Sequence, residues 1–206
     1  MPIPVQGTPI WVPPAPAPSS TTDTVSSATA AEAPLRLNIR MFRQKKKNWC
    51  WAACIQMITD FYQTQLSQCD IAQELFTTRD CCNNTNSCDE GCDPEDVKEV
   101  LRKDSMQIEC RRFSRDLTFE TISDEIQNQR PVAAAVLWFS HTGQERGGHL
   151  IIIKGVHIKN NRRFVKVNDP FYGRGDVPFS KLKSYYGPDD DDQDGVWKHT
   201  WIKIAR

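Results

Sequence analysis

The chain has 206 residues, 39% hydrophobic and 25% charged, with 26 basic side chains against 26 acidic ones. That length and apolar content suit one globular domain with an appendage. The balanced charge offers no footprint for nucleic acid or an anionic membrane, and no apolar run in the sequence approaches the ~20 residues of a membrane span.

Residues 1–35 are dominated by Pro, Ala, Ser and Thr, with Val12-Pro-Pro-Ala-Pro-Ala-Pro18 at their centre. They predict a disordered tail ahead of a domain over 36–206. No Lys or Arg precedes Arg36, and no apolar stretch follows the start. The features of a signal peptide are therefore missing, and the expectation is a mature fragment or export by a route without a classical signal peptide. Trp11, the large aromatic of the tail, reads as exposed.

Leu35, Leu37, Ile39 and Met41 alternate with polar partners, which predicts a half-buried strand leading to Gln44. Lys45-Lys46-Lys47 is a solvated loop, or, on a sharper reading, a basic rim to a cleft. A helix is expected from about Asn48 to Tyr62, with Ala53, Met57, Ile58 and Phe61 as its apolar stripe. Asn48 suits an N-cap, which places Cys50 in the first turn. There the helix dipole and unpaired backbone N–H groups favour a thiolate. Gln44 stands six residues upstream, near enough for its side-chain amide and the Cys50 N–H to bind one developing oxyanion. A cysteine chosen blindly from a chain with eight is more simply structural. The combination of Gln44, a helix start, Trp51 next in sequence and a suitable later histidine makes Cys50 a candidate nucleophile.

Cys69 to Phe76 carries a second helical pattern. Six of the cysteines fall between Cys69 and Cys110, and Cys81 to Cys92 is a turn-rich loop with little apolar content that needs staples to be ordered. Adjacent Cys81 and Cys82 followed by Cys88 and Cys92 do not match the paired Cys-x2-Cys of a zinc ribbon, which favours disulfides over zinc. The clustering also favours an oxidising destination. With Cys50 free, seven cysteines remain, so at least one more is unpaired.

Asp93-Pro94-Glu95-Asp96 opens another helix, with Val97, Val100 and Leu101 as its stripe. A strand over Met106–Phe113 and a helix over Thr118–Gln127 follow. From Pro131 the pattern turns to strands, at Val132–Phe139, His149–Ile158, Arg163–Val167 and Val196–Ile204, with Asn160-Asn161 as a hairpin turn. Helices first and antiparallel sheet after predict an α+β fold.

Of the four histidines, His141 sits in a polar loop, and His157 and His199 occupy outward positions of strand patterns. His149 differs: Gly147-Gly148-His149 opens the most apolar strand, Leu150-Ile-Ile-Ile153. A lone histidine there would ordinarily be a satisfied core residue. The glycines allow close approach of backbone or substrate, and the catalytic reading of His149 comes from the family resemblance given below. Val167-Asn168-Asp169-Pro170 ends the strand expected beside that of His149, so Asp169 or Asn168 is the candidate to orient the imidazole. Asp169-Pro170 as a plain turn initiator is the simpler alternative. The run Asp189–Asp194 resembles the start of a calcium loop, but Trp201 stands where the loop's Glu is required, and a solvated acidic loop is expected.

Gln44-x5-Cys50-Trp51 resembles the papain-like cysteine peptidases, and Cys50-Trp-Ala-Ala-Cys54 is most similar to their bacterial branch. That branch includes bacteriocin-leader-processing peptidases and cysteine-protease effectors injected into host cells. The resemblance spans residues 37–204 in outline and rests on three short patches, the Cys50, His149 and Asp169 segments. The chain departs from papain in lacking Cys-Gly-Ser before the nucleophile and in being shorter. The resemblance implies a helical half packed on an antiparallel sheet or barrel half, with the cleft between them. It implies a Cys50-His149-Asp169 triad assisted by Gln44, and chemistry without cofactor or metal. It implies disulfides in the Cys81–Cys92 loop, a protein or peptide substrate, and a secreted or injected effector or toxin. A deamidase or transglutaminase on the same scaffold would use the same residues; a non-enzymatic disulfide-rich module would pair Cys50 with Cys54 or another cysteine.

Overall fold

A computed structural model describes residues 35–140, 142–187 and 194–206. Residues 1–34 of the tail, His141 and nearly all of the acidic run at 189–194 lie outside the described residues. Two elements of the N-terminal half come first: a two-residue strand, β1 (Leu35–Arg36), and helix α1 (Cys50–Phe61). Helices α2 (Gln68–Leu75) and α3 (Pro94–Leu101) follow, then strand β2 (Glu109–Phe113) and helix α4 (Phe119–Gln127). The remainder is β3 (Val132–Phe139), β4 (Glu145–Lys159), β5 (Arg162–Asp169), β6 (Gly173–Pro178), α5 (Phe179–Ser184) and β7 (Asp194–Ala205).

The strands form one antiparallel sheet in the order β2-β7-β3-β4-β5-β6. The sheet is open: β2 and β6 are its two edges and do not pair, so the barrel alternative gives way to a sheet. Helices α1, α2 and α3 pack together, and α1 lies on β4 while α3 meets β2. This is the expected α+β arrangement of a helical half against an antiparallel sheet.

Strand β4 is the spine. β3 pairs with it from Glu145 to Ile153, and β5 pairs with it from Ile152 to Lys159. β1 takes the edge that β3 vacates, pairing Leu35 with Val156 and Arg36 with Gly155. That vacancy is short, which is why the expected strand over Leu35–Met41 is regular for only two residues. Beyond it Leu37 and Ile39 still turn into the core, and the Leu37 N–H still donates to the Lys154 carbonyl. The hairpin between β4 and β5 turns at Asn160 and Asn161, both with positive φ, as a two-residue turn requires. β6 escaped prediction because its Gly-Arg-Gly-Asp-Val-Pro sequence has no alternation. α5, only 6 residues long, is too short for a periodic signal.

Helix α1 is buried along most of its length, and Trp51, Ala53, Ile55, Met57 and Ile58 are each 2% exposed or less. Each such aliphatic contributes roughly 1.5–3 kcal/mol, and Ile55→Ala would cost about 2–5 kcal/mol. The start of α1 differs from expectation. Trp49 occupies the cap position with no side-chain cap bond, and the Asn48 amide donates to the Asp89 carbonyl instead. α2 has the capping box Ser67/Asp70, and Thr118 Oγ1 accepts from the Thr121 N–H at the start of α4.

The cysteine-rich loop carries two disulfides, Cys69–Cys82 and Cys81–Cys88. Cys50, Cys54, Cys92 and Cys110 are free. The stapled loop is clamped to the start of α1: Asn48 N–H donates to Asp89 Oδ1, Trp49 Nε1 to the Cys88 carbonyl and Trp51 Nε1 to the Glu90 carbonyl. Each bridge is expected to contribute about 2–4 kcal/mol. Thermal melts with a reductant should therefore fall by several degrees, while a chelator leaves the midpoint unchanged. The reverse order would show that metal, not disulfide, orders the loop.

Candidate active site

The cleft between the two halves holds about 760 Å³ and is lined by Gln44, Cys50, Trp51 and Cys92 on the helical side and by Trp138, His149 and His199 on the sheet. Cys50 is the first residue of α1, so its backbone N–H has no partner within the helix. With Asn48 drawn away to Asp89, no side chain caps that end, and its positive pole is left facing the cleft.

His149 lies within β4 rather than at its mouth, at the point where burial begins: Gly147 and Gly148 are exposed, while His149 and Leu150 are buried. Gly148 meets the sheet tightly, since a Cβ there would fall 2.9 Å from Leu137 Cδ2. His149 Nε2 is 2.8 Å from Asp169 Oδ1. The Cys50 thiol lines the same cleft and acts electrostatically on the same imidazole. Trp138, with ring centroids 5.6 Å apart, and Tyr172, at 6.2 Å, flank the imidazole. Burial works against a charged His149, but the hydrogen bonds and charges of Asp169 and Cys50 outweigh it and push its pKa up to about 9.

Asp169 is fully buried. Its Oδ1 accepts from His149 and from the N–H groups of Phe171 and Tyr172, at 2.7 and 2.8 Å, and its Oδ2 accepts from Tyr186 Oη at 2.6 Å. Burial alone would raise the pKa of this carboxyl; His149 and the hydroxyl and N–H donors hold it below the ordinary range. Asn168, one residue back, points the other way, as alternation along a strand requires. Its Nδ2 donates to the Ile39 carbonyl in the core.

Cys54, one turn below Cys50, donates its Sγ–H to the Leu150 carbonyl at 3.1 Å. That bond ties α1 to β4 beside His149 and fixes the register of the two. Burial, then the nearby Cys50 and Asp169, push the Cys54 thiol up, so it remains a donor.

Gln44 lines the cleft, and its backbone N–H donates to the Pro170 carbonyl, next to Asp169. Its side chain is placed differently from expectation. Nε2 donates to the carbonyls of Lys46 and Lys47 at 2.9 and 2.7 Å, and Oε1 is buried without a partner. The two carbonyls fix which way the amide faces, because the reverse orientation would oppose oxygen to oxygen. The loop itself is held by Gln68, 1% exposed, which accepts from Lys45 N–H and donates to the Arg43 carbonyl. Lys47 reaches the cleft; Lys46 turns to Asn86.

Several residues of the site carry no sequence signal. Tyr186 sits in a polar stretch without periodicity, and Gln68 looks like any surface glutamine. His199, which its strand pattern places outward, lines the cleft with Nδ1 3.2 Å from Arg112 Nη1. Burial and the Arg112 charge lower its pKa.

A family model described as the Peptidase_C39 like family matches residues 36–191. No curated protein matches the chain by sequence. Among solved structures, proCathepsin B S9 from Trypanosoma congolense is similar over 82% of this chain and 73% of its own, at TM-score 0.50 and 12% identity. A double glycine motif protease from an AMS/PCAT transporter, solved in complex with its leader peptide, is similar over 79% and 93%, at TM-score 0.43 and 15% identity. A structure from work on the mite allergens Blo t 1 and Der p 1 is similar over 84% and 73%, at TM-score 0.46 and 13% identity. The family match spans most of the chain and reaches from Gln44 past Asp169, and on that ground the chain belongs to the Peptidase_C39-like family and is a cysteine peptidase.

Proposed function

We propose that the enzyme is an endopeptidase that cleaves protein or peptide substrates with a Cys50-His149-Asp169 triad. The observation that carries this reading is the imidazole of His149, bonded through Nε2 to a buried carboxylate in the cleft that Cys50 also lines. Cys50 sulfur attacks the scissile carbonyl and forms a thioester as the amine departs. His149 takes the thiol proton, gives it to the leaving amine, and then accepts a proton from the water that hydrolyses the thioester. Asp169 holds the ring and steadies its charged form. The Cys50 N–H at the uncapped helix start supports the oxyanion. Gln44 is the second donor, a role that requires its carboxamide to turn out of the Lys46 and Lys47 carbonyls. Two disulfides support a working place outside a reducing cytosol, in keeping with a secreted enzyme or one delivered into a host or competitor cell as an effector or toxin.

Cys50→Ala should abolish cleavage of a fluorogenic peptide, without any added amine acceptor, while the melting temperature stays put. Cleavage by that variant would end the reading, and turnover that depends on an amine acceptor would redirect it to transamidation.

Asp169→Ala should lower kcat/KM by roughly 10- to 1000-fold, about 1.4–4 kcal/mol of transition-state stabilisation. Asn168→Ala, whose amide serves the core, should instead lower stability with a smaller effect on kcat/KM per titrated active site. A larger catalytic loss for Asn168→Ala would move the orienting role back by one residue.

The raised pKa of His149 sets a direction for pH. Its proton is held more tightly in the folded protein than in the unfolded chain. The resulting stability is therefore complete below the ordinary histidine range and fades as pH rises through about 9. The general acid fades over the same range, so kcat/KM should fall on a one-proton limb near pH 9. In Cys50→Ala, which removes one of the two partners, NMR titration of the His149 ring should show a lower pKa. A ring that titrates near 6.5 in the intact enzyme would contradict the coupling.

A further inference from the structure

Tyr186 lies outside any regular element, between α5 and β7, and is 6% exposed. Its hydroxyl donates to Asp169 Oδ2 at 2.6 Å. Asp169 Oδ1 already accepts three donors, whereas Tyr186 is the one described partner of Oδ2. The carboxylate is fully buried, so without Tyr186 one oxygen of a buried anion would be left bare, which is costly.

The backbone that carries Tyr186 is held closely. Its N–H donates to the Gly195 carbonyl at 3.0 Å. A Cβ on Gly195 would fall 1.9 Å from the Tyr186 carbonyl oxygen, so only glycine admits this approach. Next in the chain, a Cβ on Gly187 would lie 3.4 Å from Trp138 Nε1, and Trp138 flanks His149. One short segment thus touches both the carboxylate that orients the imidazole and the indole that covers it.

We infer that Tyr186 is a positioning residue of the peptidase site, acting through Asp169 to set both the orientation and the basicity of His149. The inference rests on the triad reading above. The titratable groups concerned are Cys50 from α1, Asp169 from β5 and Tyr172 from the loop after it, all around His149, with Tyr186 and Cys54 around Asp169. Burial and the Asp169 charge keep the Tyr186 hydroxyl protonated, so it is always a donor. A donor on Oδ2 stabilises the carboxylate most when the imidazole is neutral and the anion is otherwise uncompensated. Removing it therefore favours the imidazolium, and the pKa of His149 moves further up.

The test is Tyr186→Phe in the full chain, with active sites counted by a thiol-alkylating titrant. kcat should fall roughly 3- to 10-fold with KM unchanged. The His149 ring, followed by NMR, should titrate higher by about half a unit or more. A ring-fluorinated tyrosine at the same position keeps the shape and strengthens the donor, and it should shift His149 the opposite way. This second substitution also covers the case in which the Phe variant fails to fold. The inference is overturned if Phe leaves kcat and the His149 titration unmoved, or if both substitutions shift the ring in the same direction, as a mere packing role would. If instead the unsubstituted enzyme shows no raised His149 titration at all, the triad reading itself falls, and this inference with it.

Discussion

A carboxylate buried to complete exclusion of solvent is the constraint on which the site is built. Asp169 would be strongly disfavoured as an anion at 0% exposure were it not surrounded by four donors: the imidazole, two backbone N–H groups of the following turn, and a tyrosine hydroxyl. Three structural features supply these four donors. β4 and β5 bring His149 and Asp169 alongside, Pro170 turns the chain so that Phe171 and Tyr172 fold back, and the close approach to Gly195 delivers Tyr186. The same turn binds Gln44 through the Pro170 carbonyl, so the proposed orienting acid and the proposed oxyanion residue share one piece of backbone.

The helical half contributes the proposed nucleophile and holds it in register. Helix α1 is tied to the sheet by its apolar face and by the Cys54 thiol on the Leu150 carbonyl. At its open end it is tied to the disulfide loop by Asn48, Trp49 and Trp51. These bonds satisfy acceptors of the loop, not the first N–H groups of the helix. The end of α1 remains uncapped where a negative oxygen would develop, a local loss of helix stability that the surrounding burial offsets. The cysteines thus divide by environment. Four staple the loop that walls the cleft, Cys54 acts as a donor in the core, and Cys50 stands at a helix start in the cleft that His149 also lines.

Much of this was legible because it is local. The apolar stripe of α1, the Asp93-Pro94 helix start, the Asn160-Asn161 turn and the strand Val132–Phe139 follow from spacing and turn chemistry alone. The juxtaposition of His149 and Asp169 followed from one hairpin. Legibility failed wherever distant chain decides. β1 is short because β3 already occupies most of that edge of β4. β6 exists because β5 offers an unpaired edge, not because Gly-Arg-Gly-Asp-Val-Pro favours a strand. Asn48 reads as a cap until Asp89, 41 residues on, competes for its amide. Tyr186 and Gln68 are invisible in sequence because their partners, Asp169 and the loop at 43–45, lie far away in the chain.

The central claim is that Cys50 is set apart from the other free thiols by its contact with His149. Timed iodoacetamide labelling of the native protein, read peptide by peptide by mass spectrometry, measures this directly. Cys50 should be alkylated well ahead of Cys54, Cys92 and Cys110, and in His149→Ala that lead should disappear while the fold remains. Labelling of Cys92 or Cys110 ahead of Cys50, or a Cys50 rate indifferent to the loss of His149, would contradict the account.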